Sequence, residues 1–257
     1  MLKDRNTYIK FHLTKRQLDQ FEQDGFIVLR SVIPDEEIQR IRQLIRHLFE
    51  QFTNLPKALA YDMSECPYPV STLQNPQVAR CLQLEPKLAN LQYLQNATAI
   101  ARELLGLHAR LCFDHAILKP PFSNCPTAWH QDEAYDKPGD SKQRLSFWLP
   151  LQDVSPDAGC LQYIPGSHKQ ELVPHHSLAV GSKALTAKDV NLEQAVACPV
   201  KVGDLIIHSG RTLHYAGGNI TPTNRLAWIL VFAAINKSPR ARLKRLASRV
   251  LHQVVKV

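Results

Sequence analysis

Apolar positions before Gly106 recur mostly at helical spacing. In "LTKRQLDQFEQDG", Thr14 and Gln17 stand in capping-box relation, Leu18 and Phe21 share one face, and Gly25 ends the segment. "FIVLRSVI" is short, apolar and β-branched, so it reads as a strand. Pro34 opens a second helix with Ile38, Ile41, Ile45, Leu48 and Phe52 on one stripe and charges opposite. Residues 53–85 are rich in Pro and polar residues, hold no sustained period and read as a long excursion. "KLANLQYLQNATAIARELLG" is helical again and stops at Gly106.

Beyond Gly106 the period changes. "RLCFDHAILK", "RLSFWLPLQDV", "CLQYI", "CPVKVGDLIIHSG" and "RLAWILVFAAI" have strand length and β-branched or aromatic enrichment. Pro165-Gly166-Ser167 and Gly203-Asp204 punctuate them. Helices first and short strands afterwards predict a mainly β fold, a barrel or jelly roll buttressed by N-terminal α-helices. One domain is expected: helical support over 14–106, a jelly-roll core over about 107–236, and a basic C-terminal helix over 237–257. In that last helix Leu243, Leu246, Ala247, Val250, Leu251 and Val254 share a face, which offers a docking surface on the body or a homodimer contact.

Composition narrows the class. The chain of 257 residues is 44% hydrophobic and 21% charged, as in ordinary globular proteins. No apolar run approaches the roughly 20 residues of a membrane span, and "MLKDRNTYIKFHLTK" lacks an apolar signal core, so a cytoplasmic protein is expected. Six scattered cysteines form no CxxC pair and read as reduced bystanders. The net charge of +8 belongs to the tail: Lys237 to Val257 carry seven Lys or Arg and no acid, and the remainder holds 24 basic against 23 acidic residues. A nearly neutral body argues against a wide phosphate-binding face, so no specific nucleic-acid partner is expected.

The chemistry concentrates in two places. "TAWHQDEAYDKPG" sets His130 and Asp132 two apart; on a strand they project from one face while Gln131 turns away. An isolated pair of this kind is most often a surface loop. A second cluster, "GDLIIHSGRTLHYAGGNITPTNRLAWILVF", adds a further histidine and then an arginine that opens an apolar strand, a costly place for a cation unless an anion meets it. Two histidines and one carboxylate on one face of Fe(II) leave positions open for a 2-oxo acid and for O2. The far carboxylate of such a cosubstrate suits a bidentate guanidinium.

These motifs carry a resemblance. From about Leu13 to Ile235, "LTKRQLDQFEQDGFIVLRSVI", "WHQD", "WLPLQDVSPDAGCLQYIPGSHK" and "HSGRTLHYAGGN" with its following arginine resemble the phytanoyl-CoA dioxygenase family of Fe(II)/2-oxoglutarate-dependent oxygenases. The resemblance implies a double-stranded β-helix (jelly-roll, cupin-like) barrel. It makes His130, Asp132 and His214 the Fe(II) ligands, Arg225 the partner of the distal 2-oxoglutarate carboxylate, and Trp148 a neighbour of the cosubstrate. Between His208 and His214 the family pattern favours the latter, leaving His208 to orient a neighbour or to pack. Many relatives carry a serine where this chain has Ala216, so the resemblance leaves the second partner of that carboxylate to Tyr215, a strand hydroxyl or water. Asp132 fills the position that halogenating relatives leave open for chloride, so hydroxylation or another outcome of hydrogen abstraction is implied, with succinate and CO2 released.

Ile117 shares a strand face with His115 and Lys119; all three could line the pocket or merely the barrel wall, and Ile117 is the candidate for the cosubstrate contact. His168 reads as a structural corner, and His175 and His176 as loop residues. The substrate is expected to be a small-molecule metabolite or biosynthetic intermediate, selected by residues 53–76, 133–144 and 170–195. A non-redox jelly-roll protein holding zinc or manganese is the rival class, and desaturation, epimerisation or ring closure are rival outcomes of the same chemistry.

Overall fold

The computed structural model describes residues 12–64, 73–136, 142–178 and 184–235. The basic tail that the sequence assigns to a terminal helix lies outside the described residues.

α1 (Lys15–Asp24) has the expected start: the Thr14 side chain accepts from the Gln17 backbone while Gln17 reaches back to the Thr14 N–H. Gly25 ends it at φ 82, a conformation that L side chains rarely adopt, and a Cβ there would meet the His168 ring and the Thr212 hydroxyl. β1 (Phe26–Leu29) is shorter than the apolar run, because the chain turns at Ser31, φ 52, to reach α2 (Asp35–Glu50). In α2 the buried residues are Ile38, Ile41, Ile45 and Leu48, which is the predicted stripe less Phe52.

The excursion is a correction. It contributes β2 (Ala60–Asp62) and β3 (Pro76–Ala79), which extend the main sheet, then the single turn α3 (Cys81–Leu84). Strands of three or four residues are too short to establish a period. α4 (Gln92–Leu105) follows and stops at Gly106. The N-terminal part is therefore helices plus three strands of the main sheet, β1 as read and β2 and β3 in addition.

β4 (Arg110–Lys119), β5 (Thr127–His130), β6 (Lys142–Pro150) and β7 (Leu161–Tyr163) come next. β8 (His175–Ser177) pairs with β9 (Leu185–Ala187) as a small separate ribbon. β10 (Val196–Cys198), β11 (Leu205–Ser209), β12 (His214–Ala216) and β13 (Arg225–Ile235) complete the chain. The run "CPVKVGDLIIHSG" is thus split between two strands, with Gly203 at φ 87 making the turn.

The strands form a double-stranded β-helix from two facing sheets. The larger has the order β1-β11-β6-β13-β4-β3-β2 and the smaller β10-β7-β12-β5. Alternation along the large sheet sends residues to two cores. One face carries Leu145, Phe147, Leu149, Leu226, Trp228, Leu230 and Phe232 and packs beneath α2 and α4. Trp228 meets Tyr93 of α4 edge-on at 5.5 Å and donates its indole N–H to Asp114 at 3.2 Å. The other face carries Trp148, Ala227, Ile229 and Val231 and packs toward Tyr163 and Ala216 of the small sheet. Filling each such position with a large apolar side chain contributes about 1.5–3 kcal/mol. The candidate residues line the space between this face and the small sheet.

Candidate active site

β5 ends at His130, Gln131 keeps extended backbone at φ −119 and ψ 127, and Asp132 starts a single 3-10 turn. That geometry preserves the alternation, so His130 and Asp132 project to the same side. β12 is hydrogen-bonded beside β5 with His214 directly opposite His130. The imidazole rings are 4.1 Å apart, centre to centre. Asp132 Oδ1 is 3.5 Å from His130 Nε2 and 3.6 Å from His214 Nε2, and one donor atom from each residue falls within 4.8 Å of the others.

The protonation states are arranged for a cation. His130 Nδ1–H donates to Ala128 O at 2.8 Å and His214 Nδ1–H to Thr212 O at 2.9 Å, which leaves both Nε2 lone pairs pointing inward. Burial, followed by the nearby His130 and His208, holds the His214 pKa well below the ordinary imidazole range. Burial pushes the Asp132 carboxyl up, but His214, His130 and His208 together outweigh it and hold the group well below the usual carboxylate range. The inward Nε2 atoms of His130 and His214 and an ionised carboxylate converge on one point.

Asp132 Oδ2 is turned away from that point. It accepts from Ser146 Oγ at 2.5 Å and lies 3.3 Å from His208 Nε2, whose Nδ1 is 2.9 Å from the Tyr163 hydroxyl. His208 is therefore a neighbour that orients the carboxylate, in keeping with the sequence reading. Gln131, facing the opposite way, donates to Arg211 O and accepts from Val173 N.

Arg225 opens β13 at the deep end of the same cavity. It is 2% exposed, its guanidinium carbon is 4.9 Å from the Trp148 ring centre, and Nη2 donates to Gly159 O at 3.0 Å. Nε is buried with no acceptor among the described residues. Burial lowers its pKa to about 10, which still leaves it charged near neutrality. A buried cation with an unused donor is incomplete without an anion. His130, Asp132, His214, Arg225, Trp148 and Ile117 all line this one cavity of about 360 Å3.

The sequence profile of the phytanoyl-CoA dioxygenase (PhyH) family matches residues 21–227. The chain belongs to that family. With the family comes the enzyme class, an oxygenase that uses Fe(II) and 2-oxoglutarate. As a family member it is 26% identical over 244 residues to an ectoine dioxygenase of Sphingopyxis alaskensis, covering 87% of this chain and 77% of the relative. It is 29% identical over 147 residues to a probable alpha-ketoglutarate-dependent hypophosphite dioxygenase of Stutzerimonas stutzeri. That match takes in 54% of this chain and spans only half the length of the relative. Among solved structures, EvdO2 of Micromonospora carbonacea var. aurantiaca complexed with 2-oxoglutarate aligns with a TM-score of 0.75 and 30% identity. The alignment covers 90% of this chain and 96% of that one.

The places of Thr127 and His175 in this PhyH member were not legible in its sequence, and Lys119, read as a pocket or barrel-wall candidate, serves the scaffold. Thr127 lines the cavity although strict alternation from His130 would turn it outward. A register shift between His214 and Ala216 places Thr127 opposite Ala216, so one extra residue of β5 is absorbed in a bulge. A hydroxyl thus stands beside the alanine. Tyr215 points the other way and stacks on Trp129 at 5.5 Å, which removes it as a cosubstrate contact. His175, read as a loop residue, lies on β8; its Nε2 accepts from the Gln131 N–H at 3.1 Å, between the two ends of the HxD pair. Lys119 is fully buried and donates to the carbonyls of Cys125, Ala216 and Gly217 at 2.9, 3.2 and 2.6 Å. It ties β4 to the loops beside β5 and β12.

Proposed function

We propose that this chain hydroxylates an unactivated C–H bond of a small-molecule metabolite or biosynthetic intermediate, with Fe(II) held by His130, Asp132 and His214. In this reading Arg225 binds the distal carboxylate of 2-oxoglutarate, with Trp148 and Ile117 as walls and Thr127 as the hydroxyl partner where Ala216 has none. The observation that carries it is the convergence of two imidazole nitrogens and one carboxylate oxygen within 4.8 Å, in the cavity that also holds a guanidinium whose Nε has no partner among the described residues. That donor set fits a divalent first-row ion with open positions, and the orphaned donor fits a dicarboxylate.

Fe(II) with 2-oxoglutarate, when bound, supplies the oxidative decarboxylation to succinate and CO2 and the hydrogen abstraction that activates the substrate. The chain's own residues do the positioning. Asp132 is held to one inward oxygen by Ser146 and His208, and the two imidazoles are fixed by their Nδ1 bonds to backbone carbonyls. Arg225 and Trp148 would hold the distal end of the cosubstrate, and the inner core excludes water around it. Asp132 fills the carboxylate position, so the donor set favours return of hydroxyl over transfer of a halide.

The test is aerobic incubation with Fe(II) and 2-oxoglutarate, following succinate by proton NMR. Wild type is expected to form succinate slowly without substrate and faster with a productive one, and Asp132→Ala to form none. Equal succinate from wild type and Asp132→Ala would remove the reading.

A further inference from the structure

One wall of the cavity has polar capacity that neither metal nor cosubstrate uses. β4 turns Phe113, His115 and Ile117 inward, and β3, hydrogen-bonded beside it, brings Gln77. His115 Nδ1 is 3.2 Å from Gln77 Oε1. Neither side chain has another hydrogen-bond partner among the described residues, and both line the cavity.

The hydrogen-bond arithmetic of this pair does not depend on how the amide is oriented. If Gln77 accepts from His115 Nδ1–H, then His115 Nε2 is left as an acceptor and the Gln77 NH2 as a donor. If the amide is turned over and donates to Nδ1, His115 Nε2–H becomes the donor and the Gln77 oxygen the acceptor. Either way the wall presents one donor and one acceptor side by side. Burial lowers the His115 pKa to about 4, with Asp132 opposing, so the pair is uncharged near neutrality.

The surroundings exclude an anion. Two guanidiniums line the cavity among the described residues, and both are committed. Arg225 stands at the deep end, paired across β4 with Lys119, while His115 pairs with Ile229, four residues and about 13 Å further along the sheet. Arg144 grips Asp136 through two bonds, from Nε at 2.6 Å and from Nη2. Around the Gln77–His115 pair the wall is instead Phe113, whose ring is 5.2 Å from that of His115, with Tyr61 and Met63.

We propose that Gln77 and His115 form the substrate-recognition pair of this chain, taking a neutral ring compound through a hydroxyl or carboxamide group that both donates and accepts. The ring lies against Phe113 and Tyr61. This assignment rests on the iron and 2-oxoglutarate reading of the same cavity, because that reading is what commits Arg225 elsewhere.

The experiment uses the full chain loaded anaerobically with Fe(II) and 2-oxoglutarate, and titrates it calorimetrically with benzamide, benzoate and ethylbenzene, three rings of similar size. Benzamide is expected to bind at least about tenfold more tightly than benzoate, the worth of one satisfied hydrogen bond. Gln77→Leu and His115→Phe are each expected to weaken benzamide about tenfold, to leave ethylbenzene unchanged and to retain the visible band of the loaded site. If either variant lacks a cooperative melt, Gln77→Glu replaces it, keeping the shape and removing the donors. Benzoate binding as tightly as benzamide, benzamide failing to bind, or folded variants that bind benzamide as wild type does would each overturn the proposal. Absence of the visible band in wild type that still binds benzamide selectively would strike the iron reading and with it the substrate role of the pair, and the variants would then show only that Gln77 and His115 bind a neutral ligand.

Discussion

Arg225 lies over Trp148, with the guanidinium carbon 4.9 Å from the ring centre. The stacking fixes the plane of a buried cation whose Nη2 is used by Gly159 and whose Nε is unpartnered. Removing the indole should loosen that plane without removing the charge. Trp148→Leu is expected to weaken 2-oxoglutarate binding by about tenfold. Arg225→Lys should cost more, because an ammonium cannot donate a parallel pair of hydrogen bonds or stack. Titration of the anaerobic Fe(II) protein with 2-oxoglutarate measures both.

Thr127 and Ala216 face each other across the bulge between β5 and β12. If the threonine hydroxyl meets a carboxylate of 2-oxoglutarate, Thr127→Val should raise the apparent Kd for 2-oxoglutarate by about five- to tenfold. Ala216→Ser in the Thr127→Val background should recover most of that loss. No recovery, with folding intact, would assign the second carboxylate contact to another group.

The fold and the candidate site were readable to different depths. Long, strongly patterned segments announced themselves: "RLCFDHAILK" and "RLAWILVFAAI" are β4 and β13 to the residue. His130 and Asp132 were visible because alternation along a strand is a local rule. β2 and β3 were invisible because three or four residues in a polar stretch carry no period. Thr127 was hidden by a bulge, which is set by the pairing of two strands rather than by either one. Gln77 meets His115, and Tyr163 meets His208, only through sheet neighbours far apart in sequence. Arg225 was a different case: a charge at the head of an apolar strand is a local anomaly, and the anomaly itself pointed to an anion.

His208 does not belong to the three-residue cluster, yet it faces the outward oxygen of Asp132. His208→Phe keeps the ring volume and deletes the donor. Fe(II) affinity is expected to fall by about 10- to 100-fold, the usual cost of removing a group that orients a metal ligand, with the melting temperature of the metal-free protein little changed. Competition with a colorimetric chelator reads the affinity directly.

Lys119 is the buried cation that serves the scaffold. Burial, then repulsion from Arg225, lowers its pKa well below the ordinary lysine value. Lys119→Met fills the same space and strands three carbonyls beside β5 and β12. A loss of about 3 kcal/mol is expected, a fall of roughly 10 °C in Tm for a chain of this size. Differential scanning calorimetry checks it.

Gly159 sits at φ 77, and a Cβ there would collide with the carbonyl of Gly217, which is one of the Lys119 acceptors. Its own carbonyl holds Arg225. Gly159→Ala is therefore expected to cost about 2 kcal/mol or more in stability and to weaken 2-oxoglutarate binding as well, measured as a paired melt and titration.

The most direct test of the whole account is anaerobic absorption spectroscopy of the protein with Fe(II) and 2-oxoglutarate. The account predicts a weak visible metal-to-ligand charge-transfer band in wild type that disappears in His214→Ala and needs far more 2-oxoglutarate in Arg225→Ala. A folded wild-type protein showing no such band at saturating Fe(II) and 2-oxoglutarate would contradict it.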